Sequence, residues 1–235
     1  MPYAIHEFAS LPSTNAYVKE HAVDLSHGDV IVAGRQTEGK GRLDRRWLST
    51  EGGLYFTLFL KPSHTAFLPN MSQLLCLAVC RAIEGVGVEA ELKWPNDVLV
   101  RGAKIAGILG EAVLEGDRLS GLVLGAGVNL NQREVKIAGV KTTTLAREGV
   151  VASEIPFLKI ILRHFFTAYD RVVERGFSII QREYVQKLVL LGNEICVDTG
   201  SERLSGTFLR VNHAGRLVLC LEDASVREIS VGDMR

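Results

Sequence analysis

The chain has 235 residues and no surplus of either charge: 27 Lys and Arg stand against 27 Asp and Glu. Non-specific nucleic-acid binding rests on excess cations that neutralise phosphates, so this balance argues against it. Long apolar runs are also missing. A membrane span needs roughly 20 such residues, and the longest candidate, around Leu74 to Ala82, is interrupted by Arg81 and Glu84. The opening MPYAIHEFASLPSTN has no cationic stretch leading into an apolar core, so no secretory signal is expected. Cysteine is scarce, with four in all. Cys76 and Cys80, four apart on an expected helix face, read as a core pair, and neither they nor Cys196 and Cys220 have zinc or redox spacing. The six histidines are scattered without metal-ligand spacing, so no structural metal is expected. Asn70-Met71-Ser72 reads as a helix start and not as a glycan acceptor. A reduced, cytoplasmic compartment is the expectation.

What is present is an ordinary globular mixture, 47% apolar and 23% charged, long enough for one compact domain plus a small second one. Strands are expected at Tyr3 to Phe8, Asp29 to Ala33 and Leu54 to Leu60. Ser13 or Thr14 can cap a helix running to about Asp24, and Pro69 opens another running to about Glu84. Four strand-like runs follow, Glu91 to Trp94, Val98 to Arg101, Ile105 to Leu114 and Leu119 to Asn129, with hairpin turns at Arg101-Gly102 and Glu115-Gly116-Asp117. Two helices come next, about Glu154 to Arg175 and Phe177 to Leu190; Phe157, Ile160, Ile161, Phe165 and Tyr169 recur at helical spacing as a core stripe. After Gly192 the helical period vanishes and short alternating strands take over, which suggests a small SH3-like barrel. The expected fold is therefore α+β: a mixed sheet packed with helices over residues 1–189, and the barrel over 190–235.

Four segments could carry chemistry. The first is the glycine-bearing stretch Gln36 to Trp47, with Lys40, Arg42, Arg45 and Arg46 and the preceding Arg35. Glycines let backbone N–H groups approach an anion, and arginine offers a planar fork of donors. The plain alternative is a solvated basic loop. Gly34 to Lys40 fits the opening of a Walker A loop, but Gly41 stands where a Mg²⁺-binding hydroxyl is required, and a strand follows instead of a helix, so that reading fails. The second is Lys93-Trp94-Pro95-Asn96-Asp97, where Pro95 breaks a central ladder and side chains leave the sheet. There Lys93 could meet phosphate and Asp97 could hold Mg²⁺, or the segment is simply a turn. In the third, Lys104 opens the apolar strand Ile105-Ala106-Gly107-Ile108-Leu109, as a surface residue or as a point charge for a carboxylate or α-phosphate. The fourth, Gly125-Ala126-Gly127-Val128-Asn129, lacks the third glycine and following helix of a dinucleotide site. Its small residues would let a flat ring lie on the backbone, or serve close strand packing.

Taken in order, Ser13-Thr14-Asn15, Gly39-Lys40-Gly41-Arg42, Lys93 to Asp97, Lys104 to Leu109, Gly125 to Asn129 and the terminal barrel resemble the biotin–protein ligase family over nearly the whole chain. The resemblance implies the catalytic fold shared by biotin and lipoate ligases and by class II synthetases. It implies biotin contacts from Ser13, Thr14, Asn15, Gln36, Gly39, Lys40, Gly41, Arg42, Lys104, Gly107, Gly125 and Gly127. It implies ATP or adenylate contacts from Arg42, Arg45, Trp47, Lys93, Asn96, Lys104 and Asn129, with Trp47 covering adenine. Lys104, Arg42 and Asp97 would be the catalytic set, Asp97 through Mg²⁺. The loop departs from the family's common form: Lys40, Leu43 and Asp44 replace Arg, Arg and Gly.

By the same resemblance, biotin's carboxylate attacks the α-phosphorus of ATP, and the resulting adenylate passes biotin to a lysine of a biotin carboxyl carrier protein. Repressor members carry an N-terminal helix-turn-helix; Ser13 lies too near the start for one, so no DNA partner is expected. A homodimer through the sheet edge is expected. The alternatives are a lipoate– or octanoate–protein ligase, a non-catalytic biotin sensor, and ATP-independent acyl transfer.

Overall fold

The computed structural model describes residues 3–42, 45–63, 65–116 and 118–234. Leu43, Asp44 and Asp117, named above, lie outside the described residues. Seven strands form a mixed sheet: β1 (Ile5–Phe8), β2 (Val30–Ala33), β3 (Leu54–Leu60), β4 (Glu91–Lys93), β5 (Asp97–Val100), β6 (Ala103–Glu115) and β7 (Arg118–Val128). Their order is β1-β2-β3-β7-β6-β5-β4, with β1 and β2 parallel and every other pair antiparallel.

The sheet's two faces differ. Leu54, Phe56, Leu58, Leu122, Leu124, Ala106 and Ile108 point one way into the main core, where α2 (Leu68–Glu84) covers them and α3 (Glu154–Arg175) packs on α2. Helix α2 buries side chains on nearly every side, including Cys76 and Cys80, as expected of a helix sandwiched between sheet and helix. Pro69 sits in its first turn. Arg81, near its end, makes a two-pronged ion pair with Glu183 on α4 (Ser178–Gln186). On the opposite face, Ile31, Phe59 and Val123 form a smaller cluster under α1 (Thr14–Glu20).

Two helices are shorter than the sequence predicts. Ser13 caps α1 through its hydroxyl, but the helix stops at Glu20 and not near Asp24; the amides of Asp24 and Leu25 turn back onto the His21 carbonyl, which brings Leu25 into the small cluster. Helix α4 stops at Gln186 and not Leu190, because Leu188 pairs beside Leu92 on edge strand β4. Two main-chain bonds, Leu92 N to Lys187 O and Val189 N to Leu92 O, outcompete another helical turn.

The last five strands, β8 (Glu194–Asp198), β9 (Arg203–Val211), β10 (Leu217–Leu221), β11 (Val226–Ile229) and β12 (Asp233–Met234), make an all-antiparallel sheet in the order β11-β10-β9-β8-β12, the SH3-like unit. Its apolar residues Ile195, Val197, Phe208, Leu217 and Leu219 belong to the same buried cluster as the main sheet. The turn at 212–215 docks it: Asn70 Nδ2 donates to Ala214 O, and both Gln73 Nε2 and Trp94 Nε1 donate to Gly215 O. Gly215, at φ 78°, is where any other residue would be strained, and a Cβ there, 2.3 Å from Gln73 Oε1, would push aside the Gln73 and Asn70 amides that dock the turn.

Candidate active site

The non-core face of the sheet is paved by glycine. Across the register, Tyr55 stands opposite Gly127, Gly127 opposite Gly107, Gly107 opposite Asp97, and Asp97 opposite Lys93. In the neighbouring row Thr57 faces Gly125 and Gly125 faces Leu109. Missing side chains in two adjacent rows leave a trough with charged residues at one end and hydroxyls at the other. The cavity above it encloses about 830 Å³, within the roughly 300–1,000 Å³ usual for ligand sites.

At the polar end, Gln36 Oε1 accepts from the Thr14 amide (2.8 Å) and hydroxyl (3.1 Å), and Gln36 Nε2 donates to Ser49 Oγ (2.9 Å). Asn15 Nδ2 donates to Glu111 Oε2 at 2.7 Å, which fixes the amide with its oxygen toward Thr57. Thr57 Oγ1 lies 2.8 Å from Thr14 Oγ1 and 2.6 Å from Asn15 Oδ1. Two hydroxyl protons therefore serve three oxygen–oxygen contacts, counting Thr14 to Gln36. The cluster holds more acceptors than protons and suits a ligand that brings N–H groups. Asn15 owes its place to Gly125, whose Cβ would lie 2.1 Å from Asn15 Oδ1.

Residues 39–41 and 45–47 pair as two antiparallel legs: Trp47 N donates to Gly39 O, Lys40 pairs with Arg46, and Gly41 N donates to Arg45 O. This pairing lays the Trp47 indole on the glycine rows, where a Cβ on Gly127 would be 2.2 Å from Trp47 Nε1 and one on Gly107 2.9 Å from Trp47 Cζ3. Trp47 Nε1 is buried without a partner among the described residues. The flat ring on this backbone in the structure is the protein's own indole.

At the charged end, Lys104 Nζ lies 2.6 Å from Asp97 Oδ1 and 5.3 Å from the Trp47 ring centre. Asp97 and Lys104, given separate tasks in the sequence reading, form one ion pair. Asn96 is fastened to β6 by Nδ2 donating to Ile108 O (2.6 Å), which leaves its Oδ1 to accept from Arg42 Nη1 (3.0 Å). Arg42 Nη2 donates to Gly232 O (3.1 Å), and Asp233 pairs with both Arg42 (3.8 Å) and Arg45. Burial lowers the Arg42 pKa, Asp233 and then Asp97 oppose the shift, and Arg45 adds to it. A guanidinium that ordinarily titrates above roughly 12 stays charged throughout.

The cavity thus brings together Ser13, Thr14, Asn15, Gln36, Lys40, Gly41, Arg42, Arg45, Trp47, Lys93, Asn96, Asp97, Lys104, Gly107, Gly125 and Gly127. Two expected residues are not in its lining. Gly39 is buried behind the paired legs, where a Cβ would strike Trp47 O at 2.6 Å and Ser49 Oγ at 2.7 Å. Asn129 is fully buried and donates through Nδ2 to Thr143 O (3.1 Å), so it braces the segment behind the cavity and does not face a nucleotide. Trp94 is likewise a packing residue, holding the C-terminal unit. Among the described residues no group of three or more His, Cys, Asp or Glu is placed to hold a metal ion.

The sequence reading missed two parts of the wall. Ile137, Ala138, Gly139 and Val140 line it because their segment runs beside β6, with Lys104 N donating to Lys141 O and Thr143 N donating to Lys104 O. The apolar Ile-Ala-Gly-Val between two lysines was the available signal. Asp233 and Met234 line it from the last strand of the barrel, for which the linear sequence holds no local signal.

The model of the biotin/lipoate A/B protein ligase family matches residues 7–129. The chain is 30% identical over 199 residues to the bifunctional ligase/repressor BirA of Bacillus spizizenii, spanning 82% of this chain but 61% of that protein. It is 30% identical over 220 residues to the biotin--[acetyl-CoA-carboxylase] ligase of Paracoccus denitrificans, spanning 90% of this chain and 92% of that one. Among solved structures, the biotin protein ligase from Aquifex aeolicus in complex with biotin and ATP superposes with a TM-score of 0.87 at 31% identity, covering 99% of this chain and 97% of that one.

Proposed function

The chain belongs to the biotin/lipoate A/B protein ligase family, and from that premise we propose that it is a biotin–protein ligase. It joins biotin to ATP as biotinyl-5′-AMP and then passes biotin to a lysine of a carrier protein. The observation that carries the choice of biotin is the acceptor-rich cluster of Thr14, Asn15 and Gln36, backed by the buried Thr57 hydroxyl, at one end of a flat, glycine-paved trough. A ureido ring brings two N–H groups to such a cluster, and a buried urea left unpaired costs about 1–3 kcal/mol per group. The dithiolane of lipoate and the tail of octanoate bring none.

With the ring there, the acid chain runs along the trough toward Lys104, and the Trp47 indole must lift from Gly107 and Gly127 to admit it. A carboxylate oxygen attacks the α-phosphorus, a P–O bond forms, and pyrophosphate leaves with the electron pair of the broken bond. Charge gathers on the phosphoryl oxygens, where fixed cations stabilise it most; Lys104 and Arg42 are the half-buried cations at that end. The carrier's lysine nitrogen then attacks the acyl carbon, and AMP departs. Mg²⁺ binds through one or two carboxylates plus phosphate oxygens, so Asp97 suits an ion that arrives with ATP and would neutralise phosphate charge there. Ile137 and Val140 offer an apolar wall for the adenine.

The division of labour follows the two units, residues 1–189 supplying most of the site and 190–235 closing one side. The acceptor in this reading is a biotin carboxyl carrier protein, and the active form is a homodimer. The test is ATP–pyrophosphate exchange with Mg²⁺ and biotin, lipoate or octanoate added separately. Exchange with biotin alone supports the reading. Exchange driven only by lipoate or octanoate moves the protein to the sister activity, and none with any acid refutes ATP-dependent activation.

A further inference from the structure

We propose that Glu111, on β6 and outside the lining of the cavity, is a positioning residue that sets biotin recognition by holding the Asn15 amide in the orientation its hydroxyl neighbours disfavour; this rests on the ligase reading above. Gly107, Leu109 and Glu111 alternate along β6 and so share one face of the sheet. Asn15 and Lys19, one turn apart on α1, both reach the Glu111 carboxylate. Asn15 Nδ2 donates to Glu111 Oε2 at 2.7 Å and more weakly to Leu109 O at 3.4 Å, while Lys19 pairs with Glu111 Oε1. An ionised carboxylate only accepts, so the amide can present nothing but its N–H side to it.

The amide oxygen is thereby left over the glycine floor, where a Cβ on Gly125 would lie 2.1 Å from it. It meets Thr57 Oγ1 at 2.6 Å, which lies 2.8 Å from Thr14 Oγ1, itself 3.1 Å from Gln36 Oε1. Both hydroxyls are buried, and their two protons cannot serve three contacts. Turned over, the same amide would supply the missing proton: Asn15 Nδ2 to Thr57, Thr57 to Thr14, Thr14 to Gln36, with every contact filled. Glu111 forbids that arrangement, because the amide oxygen would then face Glu111 Oε2 across the present 2.7 Å, acceptor against charged acceptor. The cluster is therefore held one proton short. A ureido N–H donated to Asn15 Oδ1 frees the Thr57 proton for Thr14, and the deficit is gone. Glu111 acts on biotin without touching it, by keeping an acceptor where the protein's own hydroxyls call for a donor.

The test compares wild type, Glu111→Gln, Asn15→Asp and the double variant, each as the whole chain. Isosteric Glu111→Gln brings an amide of its own, so the Asn15 amide can turn over and fill the row of hydroxyls. Calorimetric titration should then show biotin binding weakened by roughly ten- to a hundredfold, with the KM for ATP at saturating biotin unchanged. Asn15→Asp alone sets two carboxylates face to face and should bind biotin no better. Combined with Glu111→Gln, it gives position 15 an acceptor on both sides, one for the new amide and one toward Thr57, and most of the affinity should return. A packing role for Glu111 predicts no such rescue. It also predicts a lower thermal midpoint for Glu111→Gln, whereas a turned amide keeps that midpoint within about 2–4 °C of wild type. NMR of the ligand-free protein reads the turn directly: the Asn15 Nδ2 protons should lie against Leu109 in wild type and against Thr57 in Glu111→Gln. Wild-type biotin affinity in Glu111→Gln, no rescue in the double variant, or Nδ2 protons against Thr57 in wild type overturns the proposal, and the last of these is decisive even if no variant folds. If wild type binds no biotin, the ligase reading fails, and the NMR contacts still decide what Glu111 does to Asn15.

Discussion

Lys104→Ala separates two consequences of one ion pair. Lys104 Nζ and Asp97 Oδ1 are 2.6 Å apart, with side chains 20% and 22% exposed. At an effective dielectric near 20 such a contact is worth about 6 kcal/mol gross, but desolvation and screening cancel most of it in the resting protein. The thermal midpoint should therefore move by no more than about 2–4 °C, the equivalent of roughly 1 kcal/mol in a chain of this size. The reaction is affected far more. Removing one preorganised group that faces developing oxyanion charge costs about 10²–10³ in kcat. Here the lost cation also leaves Asp97 facing the phosphates unanswered. The two effects part in a double-mutant cycle with Asp97→Asn: the coupling should be roughly 0.5–3 kcal/mol, so that neutralising Asp97 does less harm, or even helps, once Lys104 is gone. Biotin-dependent pyrophosphate exchange, with kcat and the KM for ATP resolved for all four proteins, measures it. A Lys104→Ala enzyme within tenfold of wild-type kcat, or strictly additive losses, would refute the reasoning.

Two further outcomes follow from packing and titration. Gly125→Ala puts a Cβ 2.1 Å from Asn15 Oδ1, so the amide must leave Thr57 and Glu111, and biotin affinity should fall at least about tenfold alongside an overpacking cost of roughly 1–3 kcal/mol; a calorimetric titration that returns wild-type affinity from folded protein would contradict the placement of the ring. Stability should fall as pH drops below 6.5. Burial holds His27 and His164 below that ordinary value, so the unfolded chain takes up their protons first and the loss continues down through the folded pKa values. Glu183, held below its ordinary 4.5 chiefly by its bond to Arg81, adds a second loss at lower pH, since its contribution is present above 4.5 and disappears through its folded pKa. Thermal melts from pH 8 to 4 report both, and a flat midpoint between pH 6.5 and 5 would count against the buried histidines.

Much of this molecule was legible as sequence because the signals are local. β3 is apolar but for Thr57 and buried on both faces, and it spans Leu54–Leu60 as read. Ser13 caps α1, and Pro69 opens α2 within its first turn. The glycines at 107, 125 and 127 marked a floor for something flat, since absent side chains are visible without a structure. Helix ends were less legible: Leu188 leaves α4 for an edge strand that lies far back in the chain.

The tertiary structure alone decided who partners whom. Asn15 is oriented by Glu111, 96 residues away, and Arg42 is gripped by Gly232, 190 residues away. Asn129, at the end of a promising glycine strand, turned behind the wall to brace Thr143, while an unremarked Ile137 to Val140 formed part of the wall itself. The physical reason is one of range. Capping, turns and apolar periodicity are set by neighbours within a few residues, so composition and spacing record them. Charge pairing and acceptor counts depend on sheet register and on where the last strand closes the barrel, and a one-residue slip would have given every one of those groups a different partner.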